Sequence, residues 1–179
     1  NNKPPQPPSE ELKRKWYYPI AQSIRIEQYN QIIAWFISID EDKSGTLEID
    51  ELSRATYPAN IKVNPQTALR FMRIFDTSRQ GHMTVYDFMA LYRFLEMCYA
   101  AFSLKRGPDT RQILRDLFRM LGFDALNETT LVILAKVFGQ NGLGINAWVA
   151  CASYVLQIRA IYQDMLDEGL LKNRLNAAD

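Results

Sequence analysis

The stretch Asp40-Glu41-Asp42-Lys43-Ser44-Gly45-Thr46-Leu47-Glu48-Ile49-Asp50-Glu51 constrains this chain more than any other. Its oxygen-bearing residues recur with the spacing of a calcium loop between two helices. Asp40, Asp42 and Ser44 fall at loop positions 1, 3 and 5, and the carbonyl of Thr46 falls at position 7. Glu48 at position 9 acts through a water, and Glu51 at position 12 is long enough to give both carboxylate oxygens. Gly45 stands where the chain must turn sharply and a Cβ would be costly. A hard divalent cation takes about six to eight oxygens, several of them charged, which explains the choice of residue types. An acidic solvated turn has no reason to fill every position of this pattern, so the ligand reading is preferred.

Helical periodicity flanks the loop on both sides. Ile26, Tyr29, Ile33, Phe36 and Ile37 predict an entering helix over about 26 to 39, and an exit helix starts near Ile49 and stops before Pro58. Asn64-Pro65 reads as an N-cap followed by a first-turn proline, opening a helix through Leu69, Met72 and Phe75. That helix runs into Asp76-Thr77-Ser78-Arg79-Gln80-Gly81-His82-Met83-Thr84-Val85-Tyr86-Asp87, a second loop in the same register. The separation of Asp40 from Asp76 is an EF-hand repeat length, so the loops form a pair with Leu47 and Met83 facing each other across a short antiparallel bridge. The second loop is poor in charge, with Ser78 and Gln80 in place of carboxylates and Asp87 one methylene short for bidentate binding. It is expected to be a structural partner of the first loop rather than a calcium site, with Mg2+ as a candidate occupant because that ion takes fewer, monodentate carboxylates.

The rest of the chain continues as helix. A long helix runs from Val85 to about Leu104, ended by Lys105-Arg106-Gly107-Pro108. Asp109 or Thr110 caps the next, which ends at Gly122, and Asn127-Glu128 opens another through Leu131, Leu134 and Phe138. The glycine-rich turn Gly139 to Gly144 leads into a final helix from about Asn146 to Leu166, with Gly169 at its end. At the other end, Asn1 to Pro8 is a proline-rich arm, and Ser9 caps a short helix to about Tyr17 that Pro19 stops. Its Lys13-Arg14-Lys15 tract, followed by Trp16-Tyr17-Tyr18, suits either a packed arm with a solvated basic face, the preferred reading, or contact with an anionic membrane surface. The fold class is all-α, an array of EF-hand repeats with about eight or nine helices and strand pairing confined to loop bridges.

Composition excludes several functions. The formal net charge of +1, from 21 basic and 20 acidic side chains, argues against nucleic acid as a partner. No apolar run approaches the roughly 18 to 20 residues that cross a bilayer, and no signal-peptide core opens the chain, so a cytoplasmic location is expected. The chain does not begin with Met, which is compatible with a longer parent protein. Cys98 and Cys151 are too few for a disulfide framework and lie in apolar helical stretches, as core residues. One His and no Cys-x-x-Cys pair leave no zinc site, and no catalytic constellation is present. Gly139, Gly142 and Gly144 follow a helix rather than a strand and lack the Gly-Lys-Ser/Thr ending of a phosphate loop.

Two adjacent EF-hands are common to many proteins. The long helix running straight on from the second loop narrows the choice: Asp87-Phe88-Met89-Ala90-Leu91-Tyr92-Arg93-Phe94-Leu95 resembles the corresponding helix of the penta-EF-hand family, which includes sorcin and the calpain small subunit. Leu114 to Phe123 looks like that family's third-repeat exit helix, Phe138 to Gln157 like its fourth repeat, and Ile161 to Met165 like the start of its fifth. The family's proline-rich N-terminal arm usually carries glycine as well, and this one has none. The resemblance implies an arm over 1–25 and a penta-EF-hand-like domain over 26–179. Within it stand a first pair (26–104), a degenerate second pair (85–166) and a degenerate fifth repeat (147–179). It also implies dimerisation, homo or hetero, because the fifth repeat has no internal partner. Tyr154, Ile158, Ile161 and Met165 would carry it, with a monomer as the alternative. In the family the first and third loops usually bind calcium. Here Lys105 and Arg106 occupy the third loop, where they would repel a divalent ion. The fourth loop (139–146) has no carboxylate, and the fifth, near Asp167-Glu168-Gly169, has too few ligands in register. One working site out of five is the expectation.

The remaining constellations are weaker. Arg111, Arg115 and Arg119 stack at i, i+4 and i+8 as a one-sign stripe, read as a solvated face or, less readily, as a mark for an acidic partner or lipid headgroups. Met72, Met83, Met89 and Met97 suit core filler more than an adaptable target groove, and the His82 imidazole is expected to be exposed. The expected function is calcium-regulated protein binding without catalysis: Ca2+ at the first loop moves the exit helix and exposes apolar surface for a protein partner or target peptide, with peripheral membrane contact as an extra. The alternatives are a calcium-independent scaffold subunit and the regulatory domain of a calpain-like protease.

Overall fold

The computed structural model describes residues 25–76, 78–123 and 126–169, together with Glu10. The proline-rich arm, the short helix expected from Ser9 (Glu10 apart) and the polar tail lie outside the described residues. Seven α-helices are found among the described residues: α1 (Ile26–Ile39), α2 (Ile49–Arg54), α3 (Pro65–Phe75), α4 (Val85–Ser103), α5 (Thr110–Met120), α6 (Glu128–Phe138) and α7 (Ile145–Asp167).

Local chemistry sets most of their starts. The Asn64 side chain accepts the Thr67 N–H at 2.8 Å to open α3, with Pro65 in the first turn, and Asn127 accepts the Thr130 N–H at 2.8 Å to open α6. Of the two candidate caps for α5, Asp109 is the one used, accepting the Arg111 N–H at 2.9 Å. A buried start would otherwise strand these first-turn N–H donors. At the end of α5, Gly122 takes a left-handed φ of 83° and the Phe123 N–H returns to the Phe118 carbonyl at 2.9 Å.

The exit helix α2 stops at Arg54, sooner than the proline alone requires, and a strand pair comes after it. Strand β1 (Thr56–Tyr57) runs antiparallel to β2 (Ile61–Lys62) around the 3-10 turn Pro58–Asn60. Strand pairing is therefore not confined to the loop bridge. The reversal is made by two non-glycine residues with positive φ, Ala59 (62°) and Asn60 (58°). Burial repays that backbone strain: Tyr57 and Ile61 are enclosed in the core, and the Tyr57 hydroxyl donates to the Leu52 carbonyl at 2.8 Å.

One contiguous apolar core joins the seven described helices, and α4 is its spine. Residues Asp87 to Leu95 are buried except for Arg93, so α4 is enclosed on nearly every face and packs against α1, α3, α5 and α7. Edge-on aromatic pairs mark the joints: Phe36 with Phe88 at 5.7 Å and Phe118 with Trp148 at 5.0 Å between ring centres. The buried Trp148 indole N–H donates to the Cys98 carbonyl at 3.0 Å, tying α7 to α4. Cys98 and Cys151 are both buried, as their apolar surroundings predict. Met72, Met83 and Met89 are core residues and Met97 is half-buried, so these methionines do not together form an open groove.

Candidate calcium site

The first loop gathers three carboxylates that sit far apart in an extended chain. Ligand-capable oxygens of Asp40, Asp42 and Glu51 lie within 4.8 Å of one another. The loop's own amides hold them there. The Ser44 N–H donates to Asp40 Oδ1 at 3.0 Å and to Asp42 Oδ1 at 2.9 Å, and the Gly45 N–H donates to Asp40 Oδ2 at 3.0 Å. Those amides point inward because Lys43 and Gly45 both take positive φ, 58° and 83°. At Gly45 the conformation rather than space is the constraint, since a Cβ there would meet nothing within 4 Å. Hydrogen bonding from the Ser44 backbone, then from its side chain, holds the Asp42 carboxyl below its ordinary range, so it is ionised at neutral pH.

Glu51, on the first turn of α2, is buried, and each of its carboxylate oxygens accepts one backbone donor: Oε1 from the Glu41 N–H at 2.8 Å and Oε2 from the Glu48 N–H at 2.9 Å. A carboxylate oxygen has two lone pairs, so each oxygen, accepting one N–H, keeps a lone pair for a cation. Ser44 and Thr46 are joined by a hydrogen bond from Ser44 Oγ to the Thr46 carbonyl at 3.0 Å, and Glu48 is exposed at the loop rim. An all-oxygen donor set around a glycine-made turn fits a hard cation such as calcium.

The second loop repeats the backbone but not the cluster. Asp76 accepts the Gly81 N–H at 2.7 Å and the Gln80 N–H at 3.3 Å, mirroring Asp40. Asp87, 1% exposed, is shorter than Glu51 and turns to Thr84 instead, its Oδ2 accepting both the Thr84 N–H (3.0 Å) and hydroxyl (2.9 Å). Among the described residues, no other group of three acidic or metal-ligating side chains converges as the first loop's does. The loops are tied as the sequence predicts: Leu47 and Met83 exchange N–H···O bonds at 2.9 and 2.8 Å, both side chains fully buried. His82 is half-buried rather than exposed.

In the second pair, a lysine of the chain joins the two loops. The Lys105 ammonium of the third loop donates to the Leu143 carbonyl of the fourth loop at 3.2 Å and lies 3.9 Å from the centre of the Phe102 ring. It thus links two loops that carry no convergent carboxylates. The arginine stripe is not uniformly self-repelling, because Glu128 at the start of α6 pairs with both Arg111 and Arg115, and Asp109 also meets Arg111.

Helix α7 lies along α3, and the sequence carried no signal for the contacts that hold it. Arg70 stacks its guanidinium 5.5 Å from the Tyr154 ring centre, and Arg79 of the second loop reaches Asp164 at 3.3 Å. Between them Ile49, Leu69, Met72 and Ile161 line a cleft of about 540 Å³. Ile158, Ile161, Tyr162 and Met165 of α7 remain exposed, Ile161 at the cleft, and the fifth loop runs beyond the described residues. No described helix is long and apolar enough to cross a membrane.

The chain is similar to known proteins. The EF-hand domain pair family matches residues 29–93. Over 98 residues the chain is 28% identical to Penta-EF hand domain-containing protein 2 of Dictyostelium discoideum, covering 53% of this chain and 46% of that one. Over 108 residues it is 36% identical to Peflin of Homo sapiens, covering 58% and 38%. The chain thus spans less than half the length of these curated relatives. A homolog of programmed cell death 6 protein from Leishmania major Friedlin shares the fold with a TM-score of 0.56 at 23% identity, over 83% of this chain and 84% of that one. Paired loops of EF-hand geometry, a long spine helix leading on into further helices, and relatives of this kind lead to one conclusion: the chain carries an EF-hand calcium-binding domain and belongs to the penta-EF-hand family.

Proposed function

We propose that this protein is a calcium-regulated protein-interaction module, acting without catalysis, whose ion is held by Asp40, Asp42, Ser44, Thr46, Glu48 and Glu51. The observation that carries the reading is the convergence of Asp40, Asp42 and Glu51 within 4.8 Å, each carboxylate fixed by backbone donors. Like charges so close repel one another, and a divalent ion converts that repulsion into attraction. Glu51 belongs to α2, so any change in its distance from Asp40 and Asp42 moves that helix. The Leu47–Met83 bridge passes the change to the second loop and the start of α4, the spine of the core. Sensor-range affinity, on the order of 10⁻⁷ to 10⁻⁵ M, is expected of such a loop. The second loop is a structural partner, and the exposed apolar face of α7 (Ile158, Ile161, Met165) pairs with a second penta-EF-hand chain, in the cytoplasm.

Calorimetric calcium titration in a millimolar magnesium background, with an apolar-surface dye read in parallel, tests the proposal. One site of micromolar or tighter affinity with increased dye binding is the expected result. Binding without a dye response makes the ion structural and the protein a scaffold. No binding removes the first loop from the function altogether.

A further inference from the structure

The loop of the third repeat gathers no cluster of carboxylates, and with its exit helix it lines a groove of about 400 Å³ between the end of α4 and α5. Its floor is Ile113, and its rims are Leu104 and Met120, 57% and 46% exposed, large apolar side chains left facing water. Around them stand Lys105, Arg106 and Arg119 against the single carboxylate of Asp116, which already accepts from the Gln112 amide at 2.9 Å. Lys105 is committed to the Leu143 carbonyl and the Phe102 ring. Arg106 reaches only the neighbouring Lys105 carbonyl, at 3.0 Å, and neither Arg106 nor Arg119 has a carboxylate partner among the described residues. The stripe therefore divides: Arg111 and Arg115 pair with Asp109 and Glu128, while Arg119 and Arg106 line the groove with no carboxylate partner among the described residues.

We propose that this groove is a calcium-independent docking site for an acidic peptide segment of a protein partner, an apolar side chain of the segment seated between Leu104 and Met120 and its carboxylates meeting Arg106 and Arg119. Charge complementarity chooses the sign of the occupant, since the rims carry guanidinium groups that fork onto carboxylates. The recess favours a peptide: buried Ile113 lies between the exposed Leu104 and Met120, so a single apolar side chain fits between them while Arg106 and Arg119 meet the charges that flank it. None of the residues lining the groove belongs to the first loop, so occupancy of that loop is not required for docking. Two separate inputs result, one ionic at the first pair and one charge-matched at the third repeat.

The test is an array of short peptides carrying one or two Leu, Met or Phe residues flanked by Asp and Glu. Charge-neutral peptides with the same apolar residues serve as controls, probed with the full chain in chelator and again in calcium. Hits are quantified by fluorescence anisotropy. The expected result is binding of acidic members at equal affinity in chelator and calcium, weakened roughly tenfold or more by the double variant Arg106→Glu/Arg119→Glu and by added salt. Arg111→Gln, outside the groove, should leave the affinity unchanged, and Glu51→Gln should bind the peptides as wild type does, which separates this site from the calcium reading. Equal binding of neutral peptides, retained binding by the double variant, a strict calcium requirement, or no acidic peptide bound would each overturn the proposal. So would binding to phosphatidylserine vesicles with none to peptides, since the basic rim would then serve a membrane. Circular dichroism of the double variant establishes that lost binding is not lost fold.

Discussion

Substituting Glu51 probes the calcium site most sharply, because the two halves of its role separate. The proposed ligand set contains four carboxylates, Asp40, Asp42, Glu48 and Glu51, and Glu51→Gln removes one charge without changing side-chain length. At a calcium–oxygen distance of about 2.4 Å, even bulk-water screening gives one carboxylate about 3.5 kcal/mol of attraction to a divalent ion. That corresponds to a loss of roughly 300-fold in affinity. The amide also leaves one of two backbone donors, the Glu41 or Glu48 N–H now satisfied by Oε1 and Oε2, facing an NH₂ group. That mismatch costs about 1–3 kcal/mol of loop stability, visible as a lowered Tm with helical content retained. Glu51→Asp keeps the charge and shortens the reach. The second loop already carries the shorter acid at this position, and its Asp87 turns to Thr84 and joins no cluster of three acidic side chains among the described residues. Glu51→Asp should therefore bind within about tenfold of Glu51→Gln rather than near wild type. Calorimetric titration in magnesium checks both variants. A Glu51→Gln isotherm matching wild type refutes the site, and wild-type affinity in Glu51→Asp refutes the role of reach.

Contacts elsewhere in the fold carry three further expectations. Lys105→Met removes both the bond to Leu143 and the contact with Phe102, and should lower the urea midpoint by the equivalent of about 1–2 kcal/mol while leaving calcium affinity untouched; an unchanged midpoint would show that the ammonium does not hold the second pair together. Trp148→Phe deletes buried volume and the donor to the Cys98 carbonyl, and should cost about 1–3 kcal/mol by denaturant titration, with unchanged stability contradicting the joint between α4 and α7. Burial pushes the Cys151 thiol up to about 12 and Cys98 well above 9.0, so native protein should resist a thiol reagent at mildly alkaline pH and react only as it unfolds. The stabilising difference is whole below the unfolded value of 9.0, where both states are protonated, and stability falls as pH rises from there toward about 12, because the unfolded thiols ionise first. Fast labelling of either cysteine in the native state would count against their burial.

What the sequence determined by itself is everything enforced within a few residues. The caps at Asn64, Asp109 and Asn127, the left-handed glycines 45 and 81, the Asp40–Ser44–Gly45 hydrogen bonding and the pairing of Leu47 with Met83 all arise from short-range chemistry repeated at a fixed spacing. The shortness of Asp87 was legible too, though not its partner, Thr84. Where the sequence fell short, the deciding neighbour was distant or the backbone was strained. A stripe of three arginines looked uniform until the fold brought Glu128 against two of them and left the third on a groove. Lys105 read only as a reason for the third loop to lose its ion, and tertiary packing made it the cation that joins two loops. Arg79 and Asp164, or Lys62 and Asn146, lie more than eighty positions apart, and no periodicity announces such pairs. Ala59 and Asn60 hold left-handed conformations because the turn they make buries Tyr57 and Ile61. Local propensity acts through backbone geometry and is written in neighbouring residues; the partner of a charged side chain depends on the path of the whole chain, and only the folded core decides it.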